Sequence, residues 1–252
     1  MKRNLFLLSL FGILSALALT GCGSKGAPSE PGKPETASTA QPSGETEIEE
    51  SSSPTALPID KLPASLKNDA FTYYGLGRSE PMLFEYAVDD KAPSEGSVTV
   101  KLIEVKDNEA KFLMERAGAL APLGNQEFVL KSDGLYSTML AGSPIEPMSI
   151  EMPSKIEKGT SWSTSGKFKL PTEVEAKQST ELKVVGFEKV KVKAGEFQAA
   201  KVTGRGLLAT AGKTTESTMT AWFAKDVGML KLVIEAKDSE GKKAKIRIEL
   251  TQ

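Results

Sequence analysis

The sequence predicts an all-β fold for residues 68–252, a curved antiparallel sheet that closes into a half-barrel or a barrel meander and is preceded by a disordered linker. Three observations predict it. Apolar and polar residues alternate with period two in about twelve segments, turn residues separate these segments, and no long amphipathic helix follows the N-terminal region. Short connections favour a meander of neighbouring strands. Two sheets packed as a sandwich are the main alternative.

Residues 243–250 show the alternation most clearly. Charged and apolar side chains take turns there, in the order Lys243, Ala244, Lys245, Ile246, Arg247, Ile248, Glu249 and Leu250. Similar alternation surrounds Phe84, Val100 and Phe112. Turn-forming residues lie between the strands, as in Ala194-Gly195 and Asp238-Ser239-Glu240-Gly241. Each strand is therefore expected to have one buried and one exposed face.

Residues 1–21 have the features of a secretory signal peptide. Lys2 and Arg3 precede an apolar stretch over residues 5–19, which is shorter than the roughly 20 residues of a membrane span. The last residue of this stretch begins the pattern Leu19-Thr20-Gly21-Cys22, and Cys22 is the single cysteine of the protein. This pattern is typical of a bacterial lipoprotein whose cysteine is acylated; a plain signal peptide followed by an unrelated cysteine is the alternative.

Lipidation at Cys22 would anchor the chain to the membrane of a bacterial cell envelope, because two or three acyl chains bind almost irreversibly. Gly23 follows the cysteine. An aspartate there would suggest retention in the inner membrane, so we expect placement in the outer membrane if the cell has one.

Residues 22–67 are predicted to form the lipidated Cys22 and a disordered tether. No aromatic residue occurs over residues 23–65, and Ser, Thr and Glu are abundant. Half of the prolines of the chain also lie there, at positions 28, 31, 34, 42, 54, 58 and 63. Such a composition buries too little apolar surface to offset the entropy of ordering the chain.

Composition excludes several classes of function. Acidic and basic residues balance after residue 67, so no basic surface for nucleic acid is expected. The chain has no histidine, and its one cysteine is assigned to lipid, which removes the usual catalytic triads and zinc or copper sites. The paired carboxylates Asp89-Asp90, Glu173/Glu175 and Asp238/Glu240 lie in turn-like stretches. We therefore expect no enzyme, metal site or cofactor.

Four local patterns resemble those of the TapB-like group of bacterial envelope domains. In chain order they are Tyr73-Tyr74-Gly75-Leu76-Gly77, the segment over residues 158–162 with Gly159 and Trp162, the segment over residues 192–197 with Gly195 and Phe197, and the segment over residues 221–231 with Trp222 and Gly228. Lys193 and Lys225 stand where that group usually has proline, and Asp226 where it has glycine. The resemblance implies an all-β half-barrel, distantly similar to LolA-like carriers, and brings no catalytic residues.

A curved sheet must fill its concave side with side chains or with a ligand. Trp162, Trp222, Phe112 and Met114 are the candidate residues for an apolar ligand cavity, with plain core packing as the alternative. Two functions remain open. One is that the domain binds a hydrophobic ligand or lipid, and the other is that it presents its sheet to another envelope component.

Overall fold

The computed structural model describes residues 54–170 and 174–252, which form a closed barrel of twelve antiparallel strands. The predicted barrel meander is confirmed, and the sandwich alternative is not what forms. The signal peptide, Cys22 and the tether up to residue 53 lie outside the described residues. The strands are β1 (Met82–Val88), β2 (Ser94–Lys106), β3 (Glu109–Gly118), β4 (Gln126–Lys131), β5 (Gly134–Leu140), β6 (Ser143–Pro153), β7 (Ser161–Lys169), β8 (Glu175–Val192), β9 (Gly195–Thr210), β10 (Lys213–Ala224), β11 (Gly228–Asp238) and β12 (Lys243–Leu250).

Each strand pairs with its neighbours in sequence, and β1 pairs with β12 to close the ring. The alternation of β12 is confirmed, since Ile246 and Ile248 point inward and are buried whereas Arg247 lies exposed between them. The predicted hairpin at Gly195 also forms, because Val192 and Gly195 are register partners at its turn. Glycine fits there because its φ is 140°.

The seam between β6 and β7 has the shortest paired register of the strand junctions in the described part of the chain. Within the described residues its register consists of the single pair Glu146 and Lys167. Side chains supply further contacts, since the hydroxyls of Ser149 and Thr164 are hydrogen-bonded and the backbone N–H of Lys169 donates to Ser143 Oγ at 2.8 Å. Side-chain hydrogen bonds thus supplement the short register at this seam.

The helix α1 (Asp69–Tyr73) closes one end of the barrel, which we call the helix end. The Asn68 side chain caps α1 by accepting from the Phe71 N–H at 3.2 Å, and its amide donates to the Lys131 carbonyl at 3.0 Å. Asp69 Oδ2 accepts from the Ile156 N–H at 2.9 Å. These bonds hold Phe71 and the following Tyr74 against the barrel interior, where both are buried.

Residues 57–67, assigned from the sequence to the tether, pack against the barrel. The Leu57 N–H donates to the Leu102 carbonyl at 2.6 Å, and short 3₁₀ turns span Ile59–Lys61 and Ala64–Leu66. Leu62 and Leu66 are buried in the core. The packed unit therefore starts before the boundary at residue 68, because composition alone does not show which leucines of a proline-rich segment find a core.

The barrel interior has three parts along its axis. A large apolar cluster, which includes Phe84, Phe112 and Phe223, fills the helix end. A small apolar cluster around Phe168 and Leu208 fills the opposite end, which we call the far end. Between them lies a layer of buried polar side chains, the polar layer, formed by Arg116, Gln126, Ser137, Ser149, Glu151, Thr164, Gln178 and Thr180.

Candidate functional site

A row of small inward-facing residues runs across six adjacent strands. Register pairs connect Thr164, Thr180, Gly206, Ser217, Ala236 and Ala244 from β7 to β12. A Cβ at Gly206 would lie 2.9 Å from both Ser217 Oγ and Thr180 Oγ1, so an added methyl group would force these hydroxyls to move. These small side chains therefore occupy little volume on the inner face of this wall.

The outer surface behind this row carries a broad depression, the candidate functional site. Its two adjoining parts have volumes of about 970 Å³ and about 620 Å³ and share Ser163, Glu181, Arg205 and Thr218. These four residues belong to one outward register row that continues through Glu235 to Lys245. Five strand spacings of about 4.8 Å make the row roughly 24 Å long.

The charges in the depression are only partly paired. Lys245 Nζ lies 2.8 Å from Glu235 Oε1, and this hydrogen bond lowers the pKa of the Glu235 carboxyl. Glu181 and Arg205 are register partners, yet within the described part of the chain neither forms an ion pair. Both remain available to a binding partner.

The outer faces of β2, β3 and β4 provide a contrast. Cross-strand ion pairs cover that side of the barrel, at 2.7 Å for Lys101–Glu115, 2.6 Å for Lys111–Glu127 and 2.8 Å for Lys131–Glu109. Charges satisfied within the chain have less to offer a partner. The depression therefore offers a binding partner more unpaired charges than the outer faces of β2, β3 and β4 do.

The polar layer contains a hydrogen-bonded chain of buried side chains. Arg116 donates to the Gly124 carbonyl at 2.6 Å and to Gln126 Oε1 at 2.8 Å. The Gln126 amide donates to Ser137 Oγ at 2.9 Å and to Glu151 Oε1 at 3.3 Å. The guanidinium and the carboxyl are thus bridged by an amide instead of forming an ion pair.

Burial controls the protonation of the side chains in this hydrogen-bonded series. Desolvation raises the pKa of Glu151 to about 7 against the opposing charge of Arg116, and it lowers the pKa of Arg116 to about 10. Desolvation and the Glu151 carboxyl also raise the pKa of the Tyr74 hydroxyl. Tyr74 Oη, Arg116 Nε and Glu151 Oε2 are buried without a hydrogen-bond partner among the described residues. Since Glu151 is only 1% exposed, it does not meet a dissolved substrate in this structure.

Of the four residues predicted to line a ligand cavity, the structure brings Phe112 and Met114 together. Both point inward from β3 and are buried in the large apolar cluster. Met114 also borders a void of about 20 Å³, together with Tyr74, Met82 and Met229. This void is far smaller than a cavity for a lipid-sized ligand.

The two tryptophans lie on opposite faces of the sheet. Trp162 points inward from β7, packs against the large apolar cluster, and its Nε1 has no partner among the described residues. Trp222 points outward from β10, and its Nε1 donates to Glu188 Oε1 at 2.7 Å while Lys201 Nζ lies 5.5 Å from the ring centre. Trp162 also borders the smaller part of the depression. The binding role of all four residues stays a prediction.

Sequence reasoning did not single out the depression. The signal was present as small or hydroxyl residues at alternate positions of six segments, but their alignment into one row depends on the register between strands. In residues 54–170 and 174–252, no group of acidic side chains is arranged to hold a metal ion. Within the same ranges, no helix has the length and apolar character needed to cross a membrane.

The fold and the site define a twelve-stranded antiparallel barrel with a filled interior and a polar outer depression. The chain belongs to the DUF3108-like family, which matches residues 83–245. No catalytic family is indicated. The resemblance to TapB-like domains and the distant likeness to LolA-like carriers are not confirmed.

Solved structures support the fold. The chain is similar to a candidate exported protein with a YmcC-like fold from Bacteroides fragilis, with 13% identity and a TM-score of 0.52 over 72% of this chain and 98% of that one. It is similar to a candidate lipoprotein from Parabacteroides distasonis, with 11% identity and a TM-score of 0.53 over 72% of this chain and 97% of that one. The hypothetical lipoprotein YmcC from Escherichia coli gives 11% identity and a TM-score of only 0.32, over 77% and 90% of the chains. No curated protein matches the chain.

Proposed function

We propose that this chain is a lipid-anchored protein of the bacterial cell envelope, held by Cys22 in the outer membrane where one exists, and that its barrel is a non-enzymatic docking module. The binding face is the outer depression, and the partner is another envelope protein. The observation that carries the proposal is the unpaired state of Glu181 and Arg205 in the middle of this concave surface. A protein partner bearing opposite charges at matching positions would complete both pairs.

The lipid anchor rests on the sequence of residues 1–22. The signal peptide would deliver the chain to the envelope, and the acylated Cys22 would hold it there. A radiolabelled palmitate incorporated by the wild type and absent from Cys22→Ser would support this part. Equal label in both proteins would contradict it.

Photo-crosslinking in living cells tests the docking face. In one variant a photoreactive residue replaces Thr218, at the centre of the depression. In a second variant it replaces Thr99, on the ion-paired outer face of β2. We expect position 218 to yield one reproducible crosslinked envelope protein and position 99 to yield none. Arg205→Glu should remove that crosslink, whereas the matched charge reversal Lys111→Glu should leave it. Equal crosslinking at both positions, or none at position 218, would refute the docking face.

Binding of a hydrophobic ligand inside the barrel is the second candidate. The observation that favours it is the void beside Met82, Met114 and Met229, because methionine side chains adapt readily to a guest. Native mass spectrometry of the protein purified without detergent tests this candidate. A co-purified lipid displaced by Met114→Trp would support it, and a ligand-free mass would count against it.

A further inference from the structure

The β8–β9 hairpin extends past the barrel wall as an arm, residues 186–198. A register shift between Val184 and Gly186 marks its base. Lys193 at its tip forms an ion pair of 2.5 Å with Glu85 on β1. Since β10, β11 and β12 lie between β9 and β1, and Glu85 faces outward, the arm crosses the outer faces of these three strands.

One face of the arm combines an exposed aromatic ring with lysines. Phe187, Lys189 and Lys191 are two residues apart and project from the same face of the strand. Phe187 is 42% exposed, and Val185 at the base of the arm is 37% exposed. Lys189 also lies 3.3 Å from Glu196, but this pair is too exposed to neutralise it firmly. An exposed aromatic residue beside lysines suits the boundary between lipid headgroups and acyl chains.

The arm also lies at the end of the barrel from which the tether leaves. The Val192–Gly195 turn is at the helix end, as is the segment that begins at residue 54 and pairs with Leu102. A disordered chain of about 32 residues, which is what composition predicts between Cys22 and residue 54, would have a root-mean-square span of about 30 Å. The tether would therefore keep the helix end within reach of the membrane that holds the lipid.

We propose that the exposed face of the arm docks on the anionic lipid surface to which Cys22 anchors the chain. The ring of Phe187 enters the headgroup boundary, and Lys189 and Lys191 contact lipid phosphates. This inference rests on the lipid anchor of the proposed function and is independent of the outer depression. It gives the barrel a fixed orientation, with the side that carries the arm directed toward the membrane.

Vesicle co-sedimentation of the mature chain tests the proposal. Cys22→Ser removes the lipid, so any binding reports the protein surface alone. Vesicles contain phosphatidylethanolamine with phosphatidylglycerol, or phosphatidylcholine only. We expect binding to the first mixture that weakens with salt, and a loss of more than about fivefold for each reversed lysine in Lys189→Glu/Lys191→Glu at low salt. Phe187→Ser should weaken binding at low and at high salt alike.

Two matched controls separate the arm from general surface effects. Lys237→Glu/Lys243→Glu reverses two lysines near the far end, and Leu207→Ser removes another apolar side chain, 44% exposed. Both variants should bind like the parent, and all variants should unfold at similar urea concentrations. No vesicle binding by the parent, equal binding to phosphatidylcholine, or equal losses in the controls would overturn the proposal. Failure of the Thr218 crosslink would leave these results unchanged.

Discussion

Glu151 is the buried acid of the polar layer, and its protonation state is coupled to folding. Its pKa is raised to about 7 in the folded barrel by burial, against an ordinary value of 4.5. The folded state therefore holds a proton that the unfolded chain has released over this pH range. The contribution of this carboxyl to the free energy of unfolding is fully present below about pH 4.5 and is lost as the pH rises through about 7.

We predict that Glu151→Gln flattens the pH dependence of stability. The amide cannot ionise, so the variant should avoid the loss, on the order of 3 kcal/mol, that the raised pKa of Glu151 implies between these limits. Urea unfolding of both proteins at about pH 5 and about pH 8 measures it. The difference in free energy of unfolding between variant and wild type should move in favour of the variant at the higher pH. A difference that is independent of pH would contradict this assignment.

Gly206 is the tightest point of the inner row behind the depression. A Cβ at this position would meet Ser217 Oγ and Thr180 Oγ1 at 2.9 Å, so Gly206→Ala should destabilise the barrel by about 1–3 kcal/mol through overpacking. Gly186→Ala is the matched control on the neighbouring strand, because nothing lies within 4 Å of the place that its added methyl group would take. Urea midpoints that shift equally for both variants would argue against a tightly packed inner row.

The faces of single residues were only partly predictable. Alternation correctly predicts that Phe112 and Met114 share a face. Alternation within β10 also places Trp222 on the face opposite to Ala221 and Phe223, as the structure has it. It does not tell which face of each strand points into the barrel when large apolar residues lie on both faces. Trp162 and Trp222 could therefore be proposed for one cavity and yet lie on opposite faces.

Among the strand junctions, the seam between β6 and β7 is expected to open most readily. Its register consists of the pair Glu146 and Lys167, whereas β8 and β9 pair over most of their length. Native-state hydrogen exchange should therefore show amides of β6 and β7 exchanging through local opening, at lower free energy than amides of β8 and β9. Ser149→Ala, which removes the hydroxyl contact to Thr164, should speed exchange at the seam. Exchange at the seam only through global unfolding would contradict the prediction.

Elements were easier to predict than their alignment. Period-two patterns and turn residues locate about twelve strands because those signals are local. The inner row of small residues and the outer row of Glu181, Arg205 and Thr218 exist only once six strands have taken their register. Register is set by packing across the whole barrel, so the depression could not be read from any one segment.

The barrel as a whole includes residues ahead of its first strand. Leu62 and Leu66 are buried, so a chain that starts at residue 68 should be less stable than one that starts at residue 54, by roughly 3–6 kcal/mol for two buried leucines. Urea unfolding followed by far-ultraviolet circular dichroism measures this difference. Equal midpoints for the two chains would show that residues 54–67 contribute nothing to the fold.

The even number of strands has a practical consequence. Because the meander returns after twelve crossings, Gln252 reaches the helix end, where its carbonyl accepts from the Leu83 N–H at 3.1 Å. A domain fused after residue 252 would emerge beside the tether. The far end consists of the β1–β2, β3–β4, β5–β6, β7–β8, β9–β10 and β11–β12 connections. A reporter intended to stand clear of the anchoring side therefore belongs in one of those connections, such as the turn at Ala211-Gly212, and not at the end of the chain.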